Sequence, residues 1–146
     1  MSSHADLPLH IPAEGVYGAL HWDANGLIPV VAVQYDTGEA LMPAYANRAA
    51  LAKTLHSGWA TYWSRSRGQI WTKGATSGNR QRVVAVRCDC DGDALLYLVD
   101  SIGPACHTGR RSCFSWLITP DGGVACDRPL ENPPDRNAAN ATRSDK

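Results

Sequence analysis

The chain has 146 residues and a formal net charge of zero, with 44% hydrophobic and 19% charged residues. That length suits one domain with one modest core, and the composition is that of a soluble globular protein. No run approaches the roughly 18 apolar residues that span a bilayer, and residues 1–12 carry no basic start followed by an apolar stretch. Neither a membrane span nor a secretory leader is therefore expected, and the expected address is cytoplasmic.

In chain order, residues 26–35 read as a strand rich in β-branched side chains. Asp36-Thr37-Gly38-Glu39 is turn-like. Residues 40–42 begin a returning strand, which Pro43 either limits or places at an edge. Asn47 is an N-cap candidate for a helix over 48–57, with Leu51 and Leu55 on one face and Gly58 at the C′ position. Residues 59–63 lead into a polar region, 64–82, that contains Gly68, Gly74 and Gly78. Residues 82–90 read as a strand, Asp91-Gly92 as a hairpin turn and 94–99 as the return strand. A loop over 103–112 and a final strand over 113–118 follow, and periodicity is lost from Pro120. Residues 128–146 are polar and rich in Pro and Asn, and are expected to be disordered. The expected fold is α+β, mainly β. It is a single compact domain over 16–120, a twisted sheet or partial barrel with one main covering helix, flanked by an extension (1–15) and a tail (121–146).

The charges are unevenly spread. Residues 40–88 hold Arg48, Lys53, Arg65, Arg67, Lys73, Arg80, Arg82 and Arg87 with no Asp or Glu, and Asp89, Asp91, Asp93 and Asp100 follow. A basic block beside an acidic one suggests an anionic ligand and a cation handled by neighbouring parts of one site. Ordinary surface charge is the plainer alternative for most of these side chains.

Three constellations could carry chemistry. On an extended Cys88-Asp89-Cys90-Asp91-Gly92-Asp93 segment, Asp89 and Asp91 would face one way and Cys88 and Cys90 the other. Carboxylates suit hard cations such as Mg²⁺ and thiolates suit Zn²⁺, so one segment could serve two metals. A hairpin turn at Asp91-Gly92 moves Asp93 off the strand, from where it could still reach the same ion. An acidic turn with two small buried cysteines is the competing reading. Cys106 and Cys113 lie in a Gly-containing loop and, with Cys90, offer three thiolates. Three protein ligands plus one open position is the pattern of a catalytic zinc site, although the spacing is not that of a zinc finger. His107, beside Cys106, could be a fourth ligand, a general base or an exposed bystander. Finally, Arg65, Arg67 and Lys73, among Ser, Thr, Gly and Trp residues, have the chemistry of phosphate and base contacts, against a solvated polar loop with core tryptophans. The five cysteines are an odd number, so a complete set of intrachain disulfides is excluded.

The run Gly26-Leu27-Ile28-Pro29-Val30-Val31, the segment 41–47, Trp63-Ser64-Arg65-Ser66-Arg67, the loop 73–79, Asp89-Cys90-Asp91-Gly92-Asp93-Ala94 and the segment 103–114 together resemble the phosphoribosyl-AMP cyclohydrolase family. The resemblance covers residues 18–118, and the last two motifs are its most specific part. It implies hydrolytic opening of the adenine ring of phosphoribosyl-AMP in histidine biosynthesis. It further implies Mg²⁺ on Asp89, Asp91 and Asp93, Zn²⁺ on Cys90, Cys106 and Cys113, and a catalytic role for His107. The implied assembly is an intertwined homodimer whose zinc ligands come from both subunits, with no nucleic-acid or membrane partner. Arg65, Arg67 and Lys73 are the candidates for substrate phosphate. Pro43 and Ala46 depart from the Leu and Met usual in the family, and Cys88 and Cys126 match none of its ligands. Nothing after residue 118 resembles the pyrophosphohydrolase domain often fused to this enzyme, so a monofunctional form is expected. The competing functions are hydrolysis of a related purine nucleotide and a structural zinc protein that binds nucleic acid. Against the second stand the neutral overall charge and the carboxylates beside the metal segment. A cytidine-type zinc deaminase is disfavoured by the missing His-x-Glu and Pro-Cys-x-x-Cys signatures.

Overall fold

The computed structural model describes residues 6–128. Its strands are β1 (Ile28–Gln34), β2 (Ala40–Ala46), β3 (Thr61–Ser64), β4 (Gln69–Thr72), β5 (Gln81–Cys88), β6 (Leu95–Ser101), β7 (Trp116–Ile118) and β8 (Val124–Cys126). Its helices are α1 (Val16–Ala19) and α2 (Arg48–Ser57). Six strands form one sheet in the order β4-β3-β2-β1-β6-β5, and β7 pairs with β8 alone. β1 and β6 are parallel, and the other named pairs are antiparallel. The sheet curls until the start of β3 meets the start of β5, through a bridge between Trp59 and Arg82 and an Ala60 N–H to Gln81 carbonyl bond of 2.9 Å. The result is a curled half-barrel, as the expected partial barrel required.

The core follows from alternation along two central strands. Ile28, Val30, Ala32 and Gln34 of β1 and Leu95, Tyr97, Val99 and Ser101 of β6 are all buried, as period-two side chains on one face must be. α2 closes over this face. Asn47 caps it by accepting the Ala50 N–H at 2.8 Å, and Gly58 ends it in the left-handed region at φ 79°. Its buried residues are Ala50, Leu51 and Thr54. The Thr54 hydroxyl donates to Ala50 O at 2.8 Å and accepts the Thr61 N–H at 2.9 Å, stitching the helix to β3. Leu55, expected beside Leu51 on the apolar face, is 49% exposed. The buried stripe runs through the satisfied threonine instead.

Other expectations need correction. Pro43 neither limits β2 nor marks an edge strand, because β2 continues to Ala46 between β1 and β3. Leu41, two residues earlier, is the extra residue of a bulge against β1, and its carbonyl accepts the Cys113 N–H at 2.6 Å. β3 pairs with β2 at Tyr45 and Trp63, beyond Pro43, so the missing N–H costs no bond to β3. The supposed polar region 64–82 contains β4, paired residue for residue with β3 across a turn in which Gly68 has φ 66°. The final strand is shorter than expected and belongs to a hairpin, with β8 lying beyond Pro120 where periodicity had ended. Residues 129–146 of the tail expected to be disordered lie outside the described residues.

The loop 73–80 is held by close backbone approach. A Cβ on Gly74 would lie 2.3 Å from Asn79 C and from Arg80 N, at φ 78°. Gly74→Ala is expected to cost roughly 2–4 kcal/mol from overpacking and left-handed strain, read as a lower urea midpoint. An unchanged midpoint would show that the loop opens freely.

Candidate active site

β5 ends at Cys88, so residues 89–93 form a turn rather than the strand expected up to residue 90. The proposed alternation of Asp and Cys faces therefore does not apply. What the turn does is gather Asp89, Asp91 and Asp93, whose ligand oxygens all lie within 4.8 Å of one another. The turn holds itself in shape. Asp89 Oδ1 accepts the Asp93 and Ala94 N–H groups at 2.9 and 3.2 Å, and Gly92 N–H donates to Asp89 O at 3.1 Å. Three carboxylates this close repel one another, and a cation among them relieves the repulsion. An all-oxygen donor set fits a hard divalent ion. Cys88 and Cys90 are exposed rather than buried.

Cys106 and Cys113 line a second feature, a cavity of about 400 Å³ shared with His107, Thr108, Arg110 and Trp116. The loop that carries them is a small hairpin, with Ala105 N–H to Arg111 O at 2.9 Å, Cys106 N–H to Arg110 O at 3.0 Å and Gly109 N–H to Cys106 O at 3.0 Å. The Thr108 hydroxyl donates to Cys106 Sγ at 3.0 Å. Ser112 Oγ donates to Ala40 O at 2.7 Å, docking the loop on the start of β2. Burial pushes the Tyr62 hydroxyl pKa well above its ordinary value and keeps the phenol neutral, with smaller contributions in the same direction from negative charge on Tyr97 and then on Cys113. The Tyr62 hydroxyl donates to Gln81 at 2.6 Å. Two thiols beside an imidazole fit a soft or borderline metal, but they fall one thiolate short of the expected three.

The missing thiolate is at the wrong end of the sheet. The thiol loop sits where β1 and β6 end and β2 begins, while Cys90 sits where β5 ends and β6 begins. The seven residues of β6 lie between them, roughly 20 Å at about 3.3 Å per residue. Among the described residues, the aspartates alone form a metal-competent group of three or more.

The basic candidates are dispersed. Arg65 stacks over the Tyr45 ring at 4.1 Å, on the turn after β3. The Arg67 N–H donates to Ser64 Oγ at 3.2 Å in the same turn. Lys73 follows β4, with Nζ 6.0 Å from the Trp71 ring centre. None of the three is among the residues lining the thiol cavity. The loop after Lys73 does reach that region, since Asn79 packs against Gly103 and the Ile102 N–H donates to Arg80 O at 2.8 Å.

One group escaped the sequence reading. Gln34 is buried and uses its whole amide. Nε2 donates to Asp36 at 3.0 Å and to Asp100 at 3.2 Å, while Oε1 accepts from Ser101 N–H at 3.0 Å and from Arg111 Nη2 at 2.7 Å. Arg111 also pairs with Glu39 at 3.5 Å. The thiol loop is thus clamped to the ends of both central strands. The available signal was a polar residue at an inward position of an otherwise apolar strand.

Clustered carboxylates on one loop and two thiols beside an imidazole on another, carried by a small curled sheet, fit the class of metal-dependent hydrolases. Comparison with known proteins narrows that class: the chain belongs to the phosphoribosyl-AMP cyclohydrolase family, whose profile matches residues 42–115. It is 53% identical over 119 residues to the phosphoribosyl-AMP cyclohydrolase of Rhodospirillum rubrum, covering 81% of this chain and 83% of the relative. It is 60% identical over 109 residues to phosphoribosyl-AMP cyclohydrolase 2 of Pseudomonas fluorescens, covering 75% and 74%. It is 62% identical over 90 residues to the enzyme of that name from Thermobifida fusca, covering 62% and 78%. The chain is accordingly a hydrolase. Among the described residues, no helix is long and apolar enough to cross a membrane.

Proposed function

We propose that this protein opens the adenine ring of 1-(5-phosphoribosyl)-AMP by hydrolysis of the N1–C6 bond, the third step of histidine biosynthesis, as a cytoplasmic homodimer. The observation that carries the reading is the cavity in which His107 lies beside Cys106 and Cys113, in a chain whose relatives bear this enzyme's name.

The substrate needs a water oxygen added at C6 and the N1–C6 bond broken, leaving a formamidine-linked imidazole carboxamide. Zn²⁺ held by Cys106, Cys113 and Cys90 would supply the Lewis acidity that makes water a nucleophile near neutral pH. Imidazole accepts protons in that range, so His107 serves as the general base that takes the proton of the attacking water. It then holds the proton available for N1 as the bond breaks. Asp89, Asp91 and Asp93 would hold Mg²⁺, which offsets the charge of the substrate phosphates. Arg65, Arg67 and Lys73 contribute to phosphate binding, with Arg65 already oriented by Tyr45.

The distance between the thiol loop and Cys90 supports a site shared between subunits, with Cys90 of one chain completing the thiolates of the other. The exposed Phe114, Trp116, Leu117 and Ile118, on and just before β7, offer apolar surface for such an assembly.

The test is an ultraviolet assay of purified zinc-loaded protein with phosphoribosyl-AMP and Mg²⁺, with and without chelator. Conversion that stops with chelator and returns on adding metal is expected. No conversion by folded, dimeric, zinc-loaded protein would move the substrate to another N1-substituted purine.

A further inference from the structure

The acidic turn is not held by its own hairpin alone. The segment before the first strand crosses it and bonds to it at two points. The Leu7 N–H donates to Cys90 O at 2.9 Å, and the His21 N–H donates to Gly92 O at 2.8 Å. These carbonyls flank Asp91. The bonds within the turn converge on Asp89, as described above, so the backbone on both sides of Asp91 is tied from outside. The contact is also steric. Gly92 is buried with φ 74°, and a Cβ there would lie 3.1 Å from Leu7 Cδ2 and 3.4 Å from Ala19 O. Between the two tie points, Gly15 N–H to Pro12 O at 2.9 Å and α1 turn the chain back, so that residues 7 and 21 reach the same turn.

We propose that residues 6–21 form a strap that sets the position of Asp91 in the carboxylate cluster, with Leu7 and His21 as positioning residues acting through their backbone N–H groups. The physical need is clear. Three carboxylates within 4.8 Å repel one another. A turn braced against that repulsion presents its ligands ready-made, so less binding free energy is lost in ordering it. The inference rests on the cation reading of the turn given above. The strap lies ahead of the residues matched by the family profile; its inner half packs on the core through Val16, Tyr17 and Leu20, whereas none of residues 6–12 belongs to the core cluster. Its outer half can therefore be removed without opening the core.

The experiment measures binding of Mn²⁺, as a spectroscopic stand-in for a hard divalent ion, to the zinc-loaded full chain and to four variants. Deletion of residues 1–12 and Leu7→Pro, which both abolish the donor to Cys90, are expected to weaken binding about three- to tenfold. Deletion of residues 1–5, which leaves Leu7 in place, separates loss of the Leu7 donor from loss of the chain before it. Asp91→Asn reports whether the cation is bound at the turn at all. In the same samples the Mg²⁺ concentration for half-maximal turnover rises by the same factor, while turnover at saturating Mg²⁺ is retained. Unchanged Mn²⁺ affinity after deletion of 1–12 and in Leu7→Pro, with affinity lost in Asp91→Asn, overturns the strap alone. Turnover that falls and is not restored by saturating Mg²⁺ also overturns it, because the segment would then be a general structural support. Affinity that Asp91→Asn leaves untouched overturns the cation reading and the strap with it.

Discussion

Cys106→Ser is expected to remove zinc and turnover together, with activity falling on the order of a thousandfold or more. Serine preserves the shape of the side chain but replaces a soft thiolate by a hydroxyl that stays protonated and binds zinc poorly. Cys106 is 7% exposed and receives the Thr108 hydroxyl at 3.0 Å. The substitution therefore alters a side chain already fixed in place, with little freedom for a compensating shift. Metal analysis of the purified protein beside the activity assay separates the outcomes. Full zinc content with lost activity would assign Cys106 a role in the reaction itself and not in holding the metal.

His107→Ala gives the complementary result. Turnover is expected to fall by about a hundred- to ten-thousandfold, the range for loss of a general base, while zinc content is retained. The imidazole shares the cavity with Cys106 and Cys113, so geometry alone allows either a ligand or a base. Zinc content decides between them. A His107→Ala protein that loses its zinc makes His107 a ligand and removes the general base from the mechanism. A small external imidazole that restores part of the turnover to the zinc-loaded variant would support the base.

What could be read from the residues divides along a physical line. Local signals were legible. Asn47 and Gly58 framed α2 at both ends, Asp91-Gly92 announced the β5–β6 turn, and the β-branched run around Val30 and Val31 announced a central strand. Each depends on backbone preferences that neighbours in sequence dictate. Features set by distant partners were not legible. β4 was hidden because Gln69-Ile70-Trp71-Thr72 is a short edge strand whose partner, β3, supplies the pairing. Leu55 was misplaced because the space beneath α2 is filled by Thr54, whose hydroxyl is satisfied by Thr61 from the next strand. β8 stands only because it pairs with β7. The same division runs through the site. The aspartates sit within five residues of one another, and their convergence could be expected from the turn. The separation of Cys90 from Cys106 depends on which end of β6 each occupies, and the tie from Leu7 to Cys90 joins residues more than eighty positions apart.

The length of β6 also bears on inheritance. In a dimer whose sites are each assembled from two chains, a subunit lacking Cys90 still contributes an intact thiol loop, and a subunit lacking Cys106 still contributes an intact acidic turn. Paired in one dimer, the two defective chains spoil one site twice over and leave the other whole. Two alleles that are each silent on their own could thus support growth when carried together, whereas two alleles damaged at the same end of the sheet could not.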